Sequence, residues 1–257
     1  MLPKSDVGTQ VAIKFLRDYH EFGSRSHLLT ALALKAAIDS NPDDDDKKVL
    51  AVKLFAEYMS ALEDLGAMCV AIRHRDEEMG LIYSFLTYKL TNTTRSLKTS
   101  IVEMFKLLQS GNGLSTGLRL PPLSDIISAD SSLLKIRFQD LYHQANDELK
   151  LAADTYLKNK RALVRAYNKT KHGFVVVNDR HTFQDEPKLI QQGVVWVAAK
   201  KLNYNPETDS TFIELFSLSL ESSQSFFDHI VKTRAAVMVI TEIAATLLEK
   251  GVITSAD

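Results

Sequence analysis

The sequence is poor in the residues that build turn-rich, cross-linked or membrane-embedded proteins. Ten glycines and six prolines in 257 residues are about half the usual share. That disfavours sandwiches, barrels and glycine-turn solenoids, which need such residues at every connection. The one cysteine, Cys69, cannot close an internal disulfide and falls within an apolar helical pattern, so a reducing, cytoplasmic setting is expected. Neither sign of charge dominates. With 31 basic and 32 acidic residues the formal net charge is −1, and no global field advertises nucleic acid or a basic partner. Met1 to Asp6 has no apolar segment of signal-peptide type. The most apolar stretch, Ala235 to Leu248, is too short to span a bilayer and carries Glu242, so no membrane association is expected.

What remains is a globular mix, 45% apolar and 25% charged, with strong helical periodicity. From Asp44 to about Arg75 the residues Phe55, Tyr58, Leu62, Leu65, Cys69 and Ile72 alternate steps of three and four, the seam of a bundle helix. Asn41-Pro42 and the aspartates Asp43 to Asp46 mark its start. Four adjacent side chains there point in four directions, so they read as a solvated helix start whose negative charge suits the dipole, not as a cation site. Val7 to Phe22 and Ser26 to Ile38 read as two shorter helices broken near Gly23. Met79 to Leu90 and Thr93 to Gln109 follow, then a loop from Ser110 to about Ser131 that contains Gly111, Gly113, Gly117 and Pro121-Pro122. A long helix is expected from Ser131 or Ser132 to His172, with Gly173 at its C-terminal end.

Beyond Gly173 the period shifts. Phe174 to Val177, Val194 to Val197 and Thr211 to Leu218 read as three short antiparallel strands, and Ser222 to Lys250 as a closing helix. The expected fold is mainly α: a single helical-bundle domain over residues 1–257, with a small antiparallel β-meander inserted at 174–218, before the last helix.

Several chemical motifs fail on context. Gly113-Leu114-Ser115-Thr116-Gly117 matches the G-x-S-x-G pattern of serine hydrolases, but that elbow needs a preceding strand in a parallel sheet, and here a helix precedes it. The same loop lacks the strand of a dinucleotide fingerprint and the lysine of a phosphate-binding loop. None of the seven histidines has Glu three positions before it, and H-E-x-x-H is absent, so no metal and no cofactor is expected. Arg73-His74-Arg75 reads as basic residues matched to a helix C-terminus. Trp196 reads as core of the meander. His20, His27, His181 and His229 have no partner at a recognisable spacing.

One constellation survives. Arg161, Arg165, Asn168 and His172 step by four, three and four, so a helix there places all four on one face. Two guanidiniums, an amide and an imidazole suit phosphate chemistry: arginine grips a phosphate bidentately, asparagine orients it, and histidine moves protons near neutral pH. The alternative is structural, with Arg161 and Arg165 paired to carboxylates across the bundle and His172 on the last helical carbonyls. Arg137 and His143 form a second arginine–histidine pair in mid-helix, where the ring is expected to pack and not to react.

Arg165-x6-His172 at the end of a long helix, with Tyr167-Asn168 and Lys171-His172-Gly173 around it, resembles the R-x(4–6)-H signature of HEPN domains. The likeness covers about residues 131–177 and the closing helix. It implies a helical bundle that dimerises with two motifs facing each other. For active members it also implies metal-independent endoribonuclease activity in toxin–antitoxin, phage-defence or RNA-processing systems. On that reading His172 and Arg165 are catalytic, Asn168 and Arg161 bind substrate, and the partners are RNA, a second copy and a protein antitoxin. A non-catalytic helical protein-interaction module is the competing expectation.

Overall fold

The computed structural model describes residues 4–75, 80–88, 100–110, 113–121, 132–158, 167, 176–178, 193–200, 212–219 and 222–249. Seven α-helices run through them: α1 Lys4–Asp18, α2 Ser24–Ser40, α3 Asp44–Arg73, α4 Gly80–Leu86, α5 Ile101–Gln109, α6 Ser132–Lys158 and α7 Ser222–Glu249. Two five-residue π-helical turns accompany them, π1 at Tyr19–Gly23 and π2 at Gly113–Gly117. The chain divides into two compact units. One comprises residues 1–28, 61–158 and 231–257, the other 29–60 and 159–230.

The first unit is built on the C-terminal half of α3. Every residue from Ala61 to Ile72 except Asp64 is buried. The a/d seam Leu62, Leu65, Cys69 and Ile72 is there as its spacing predicts, but Ala67, Met68, Val70 and Ala71 are buried on the other sides. A helix apolar all round is a central helix, enclosed instead of packed along one stripe. Gly66 sets the approach of α5: a Cβ there would lie 2.7 Å from Ile101 Cγ2. Ser100 starts α5 through a capping box, its hydroxyl accepting from Glu103 N while the Glu103 carboxylate accepts from Ser100 N, which satisfies two otherwise orphaned donors. From α6, Leu149, Ala153 and Tyr156 enter this core, and the Tyr156 ring lies 4.7 Å from that of Phe105.

The break expected near Gly23 is a change of helical pitch. The chain stays helical through π1 between α1 and α2. Gly23 is required there, because a Cβ would come within 2.5 Å of the Tyr19 ring.

In the second unit, α3 starts at Asp44, within the run Asp43 to Asp46 that its sequence marks, and Asp43 caps it. Its Oδ1 accepts from the amides of Asp45 at 2.7 Å and Asp46 at 3.2 Å, while Asp44 and Asp45 pair with Lys47 and Lys48. Phe55 and Tyr58 face α7, where the Phe226 ring lies 5.5 and 5.6 Å from theirs and His229 stacks on Tyr58 at 5.5 Å.

The fold-class expectation needs a correction. Of the residues whose packing is described, 91% are helical and none lies in a strand, so the packed fold is a helical bundle without a β-meander. The backbone does pair Val176–Asn178, Gly193–Lys200 and Phe212–Ser219 antiparallel, in chain order, with Trp196 opposite Val176 and Phe216. Side chains are what would join such strands to a core, and those of the strands lie outside the described residues. β-Propensity alone identified paired backbone. It carries no information on packing, because a three-stranded ladder joins a fold only through a buried face.

Candidate functional site

Arg161, Arg165, Asn168 and His172 all lie outside the described residues, as do His181 and the side chain of Arg137. Within that stretch Tyr167 is described. It is helical and 5% exposed, as the long-helix expectation has it. The second pair's histidine departs from expectation. His143 is exposed on α6, its ring edge-on to that of Tyr142 at 6.3 Å, because it sits one position past the buried stripe that Tyr142, Ala145 and Leu149 form. The Tyr142 hydroxyl is buried without a hydrogen-bond partner among the described residues, and burial raises its pKa.

The most developed polar site in the first unit is one that the sequence read as mere dipole matching. At the end of α3, Arg73 Nη1 donates to the carbonyls of Thr116 at 3.1 Å and Gly117 at 2.7 Å. Arg75, only 8% exposed, donates from Nη1 to Ile72 O and Leu118 O, both at 2.9 Å, and from Nη2 to Arg119 O at 2.6 Å. Two guanidiniums therefore hold four consecutive carbonyls, 116 to 119. Arginine suits this work because its planar fork presents several donors in fixed directions.

The clamped segment is the G-x-S-x-G sequence and its continuation, and its local order explains why it can be clamped. Leu114, Leu118 and Leu120 are buried. Leu118 N donates to Gly113 O and Leu120 N to Leu114 O, both at 3.1 Å. Leu114 N meets Asn146 Oδ1 from α6 at 3.4 Å. Gly117 lies against α5, where a Cβ would come 2.8 Å from Leu108 Cδ2. The segment is preceded by α5 and not by a strand, so it is no hydrolase elbow, as its context predicts. Arg119 is exposed and sits at φ 53°, in the left-handed region that side-chain-bearing residues rarely occupy.

A second cluster surrounds π1. Tyr19 Oη donates to Asp64 Oδ2 at 3.1 Å, and His27 Nε2 lies 2.9 Å from the same oxygen. Burial first, and then the Asp64 charge, raises the Tyr19 pKa well above its usual value and keeps the hydroxyl protonated. His20 turns the other way, Nδ1 3.0 Å from Met238 O and 3.4 Å from Thr241 Oγ1 on α7. The partners of His20, His27 and His229 are thus 218, 37 and 171 positions distant or thereabouts in the chain, beyond the reach of any spacing rule. Cys69 is fully buried, and burial drives its thiol pKa up, which makes it an inert core residue.

Among the described residues no group of three or more His, Cys, Asp or Glu side chains is placed to hold a metal ion. Among the same residues no helix is long and apolar enough to cross a membrane. The chain matches no protein-family model, no curated protein and no solved structure.

Proposed function

We propose that this chain is a HEPN-type ribonuclease that cleaves RNA as a homodimer without a metal ion. The observation that carries the reading is the helical spacing of Arg161, Arg165, Asn168 and His172 around Tyr167, which is itself helical and buried. A buried tyrosine one residue from Asn168 supports a bundle helix whose remaining face offers the four polar groups. In this mechanism His172 takes the proton from the 2′-hydroxyl or returns one to the leaving oxygen, and Arg165 stabilises the charge of the phosphorane. Asn168 positions the phosphate, and Arg161 supports it. Two like-charged stripes meeting at a two-fold axis need an anion or opposing carboxylates between them, a role that the RNA backbone fills.

The test pairs two histidines. His172→Ala should abolish RNA cleavage without lowering the melting temperature by more than a few degrees, while His143→Ala should leave cleavage intact. Cleavage should persist in EDTA and leave a 2′,3′-cyclic phosphate, and light scattering should show a dimer at micromolar concentration. Wild-type protein that cleaves no RNA, or a His172→Ala variant as active as wild type, refutes the reading.

A second reading, a non-catalytic interaction module, is favoured by one observation. Phe22 is 67% and Leu86 71% exposed, one three positions after Tyr19 and the other next to Phe85, both members of the ring cluster Phe15, Tyr19 and Phe85. Apolar side chains left this open suit a protein partner.

A further inference from the structure

Arg119 breaks a local rule that its surroundings enforce. An L-residue at φ 53° strains its Cβ against the backbone, and glycine is the residue that accepts such a position freely. The chain places a long cationic side chain there instead. The backbone on both sides of Arg119 is held in place. Leu118 and Leu120 on either side are buried, their amides are bonded to Gly113 O and Leu114 O, and Arg75 Nη2 holds the Arg119 carbonyl at 2.6 Å. Strained backbone that is over-determined in this way is characteristic of ligand clamps, where the strain aims a side chain. Here the aimed group is an exposed guanidinium, which forms no ion pair among the described residues.

The bracing points the same way. Arg73 and Arg75 reach the main chain at 116–117 and 118–119, so two guanidiniums brace the four residues that carry the exposed Arg119. The exposed hydroxyl of Thr116 stands on the same segment. A pre-ordered loop with an exposed guanidinium and a hydroxyl fits an anion with several acceptor oxygens, and a phosphate takes arginine's fork bidentately.

We propose that the 113–121 loop is an RNA-backbone contact, in which Arg119 grips a phosphodiester and Arg73 and Arg75 are positioning residues that hold the main chain beneath it. This rests on the ribonuclease reading only for the choice of RNA as the phosphodiester. A fixed loop loses little entropy on binding, so one contact weighs more here than on a flexible one. The loop supplies affinity and no chemistry, and its loss should appear in binding and KM with kcat unchanged.

The experiment measures the affinity of a short fluorescein-labelled single-stranded RNA by anisotropy across a salt series, for wild type, Arg119→Gly, Arg119→Gln, Arg119→Lys and His172→Ala, with thermal melts of each. Arg119→Gln should weaken binding about fivefold and lower the salt dependence by about 0.7, the value of one single-strand phosphate contact. Arg119→Lys should restore the salt dependence and only part of the affinity, because it keeps the charge and loses the fork. Arg119→Gly should bind as weakly as Arg119→Gln while melting about 2–4 °C higher, since relief of left-handed strain is a stability gain. A residue with a merely structural role would not give weaker binding together with higher stability. Unchanged affinity and salt dependence in both Arg119→Gln and Arg119→Gly overturn the loop contact and leave the nuclease reading standing. Loss of cleavage in His172→Ala with RNA affinity retained, alongside weakened Arg119 variants, supports both. RNA binding that depends on Arg119 in a wild type that does not cleave supports the loop and refutes the nuclease. A wild type that binds no RNA overturns both.

Discussion

Replacing Arg75 by Met keeps most of the aliphatic stem of the side chain and removes the guanidinium, so it tests what the carbonyl clamp is worth. Three hydrogen bonds among the described residues disappear, to Ile72 O, Leu118 O and Arg119 O at 2.9, 2.9 and 2.6 Å. A hydrogen bond to a charged group contributes about 1.5–3 kcal/mol net, which sets an upper range of roughly 5–9 kcal/mol for three. Two effects reduce it. The variant no longer buries a charge, which returns several kcal/mol of desolvation. Water can also reach the carbonyl of Arg119, an exposed residue, whereas Leu118 is fully buried. The remainder is about 3 kcal/mol, mostly from the acceptor left unpaired at Leu118. For a chain of this size that lowers the melting point by roughly 6–12 °C. Urea unfolding followed by circular dichroism measures the loss, and hydrogen exchange at Leu118 and Leu120 locates it, since those amides are bonded only while the loop holds its shape. Arg73→Met, on the neighbouring carbonyls, should cost less alone, and the double variant should depart from additivity by at least about 0.5 kcal/mol because both residues secure one segment. An Arg75→Met variant within about 0.5 kcal/mol of wild type, with exchange at Leu118 unchanged, would refute the clamp.

Gly66→Ala should destabilise the first unit by about 1–3 kcal/mol, the usual cost of an overpacked core methyl, because its Cβ would meet Ile101 Cγ2 at 2.7 Å; unfolding in urea checks it, and Ile101→Leu, which lacks the branch methyl at Cγ2, should recover part of the loss in the same chain. Stability should also fall at alkaline pH. The Tyr156 pKa is pushed up to about 12 from the ordinary 10.0, first by burial and then by the charge of Glu63. A folded value above the unfolded one leaves its contribution intact below pH 10 and removes it as the pH rises towards 12. Tyr156→Phe should flatten the melting-temperature profile across that window, and an unchanged profile would show that other groups govern it.

Much of the helical order was legible because helix formation is decided locally. The a/d seam of α3 and the aspartates at its start each need only neighbours a turn away, so spacing and helix-end charge suffice. The start of α3 at Asp44 and the buried residues Leu62, Leu65, Cys69 and Ile72 are where that logic places them. It stopped short where helices meet. The enclosure of α3 over residues 61–72 depends on helices arriving from several sides, which no single-helix period contains, and the exposure of His143 turns on which residues of α6 its neighbours cover.

The sequence by itself determined a mainly helical chain and the positions of most helices, and it set Arg161, Arg165, Asn168 and His172 at helical spacing. Tertiary structure decided the rest. It turned Arg73 and Arg75 from basic residues at a helix end into a clamp on carbonyls 43 and 44 positions away, and it gave His27 and Tyr19 a common partner in Asp64. It also held Arg119 in a conformation that its own backbone disfavours. The physical reason is the same in each case. A guanidinium or an imidazole has no intrinsic partner, and burial makes an unmet donor costly, so the fold assigns the acceptor by what it brings within 3 Å or so.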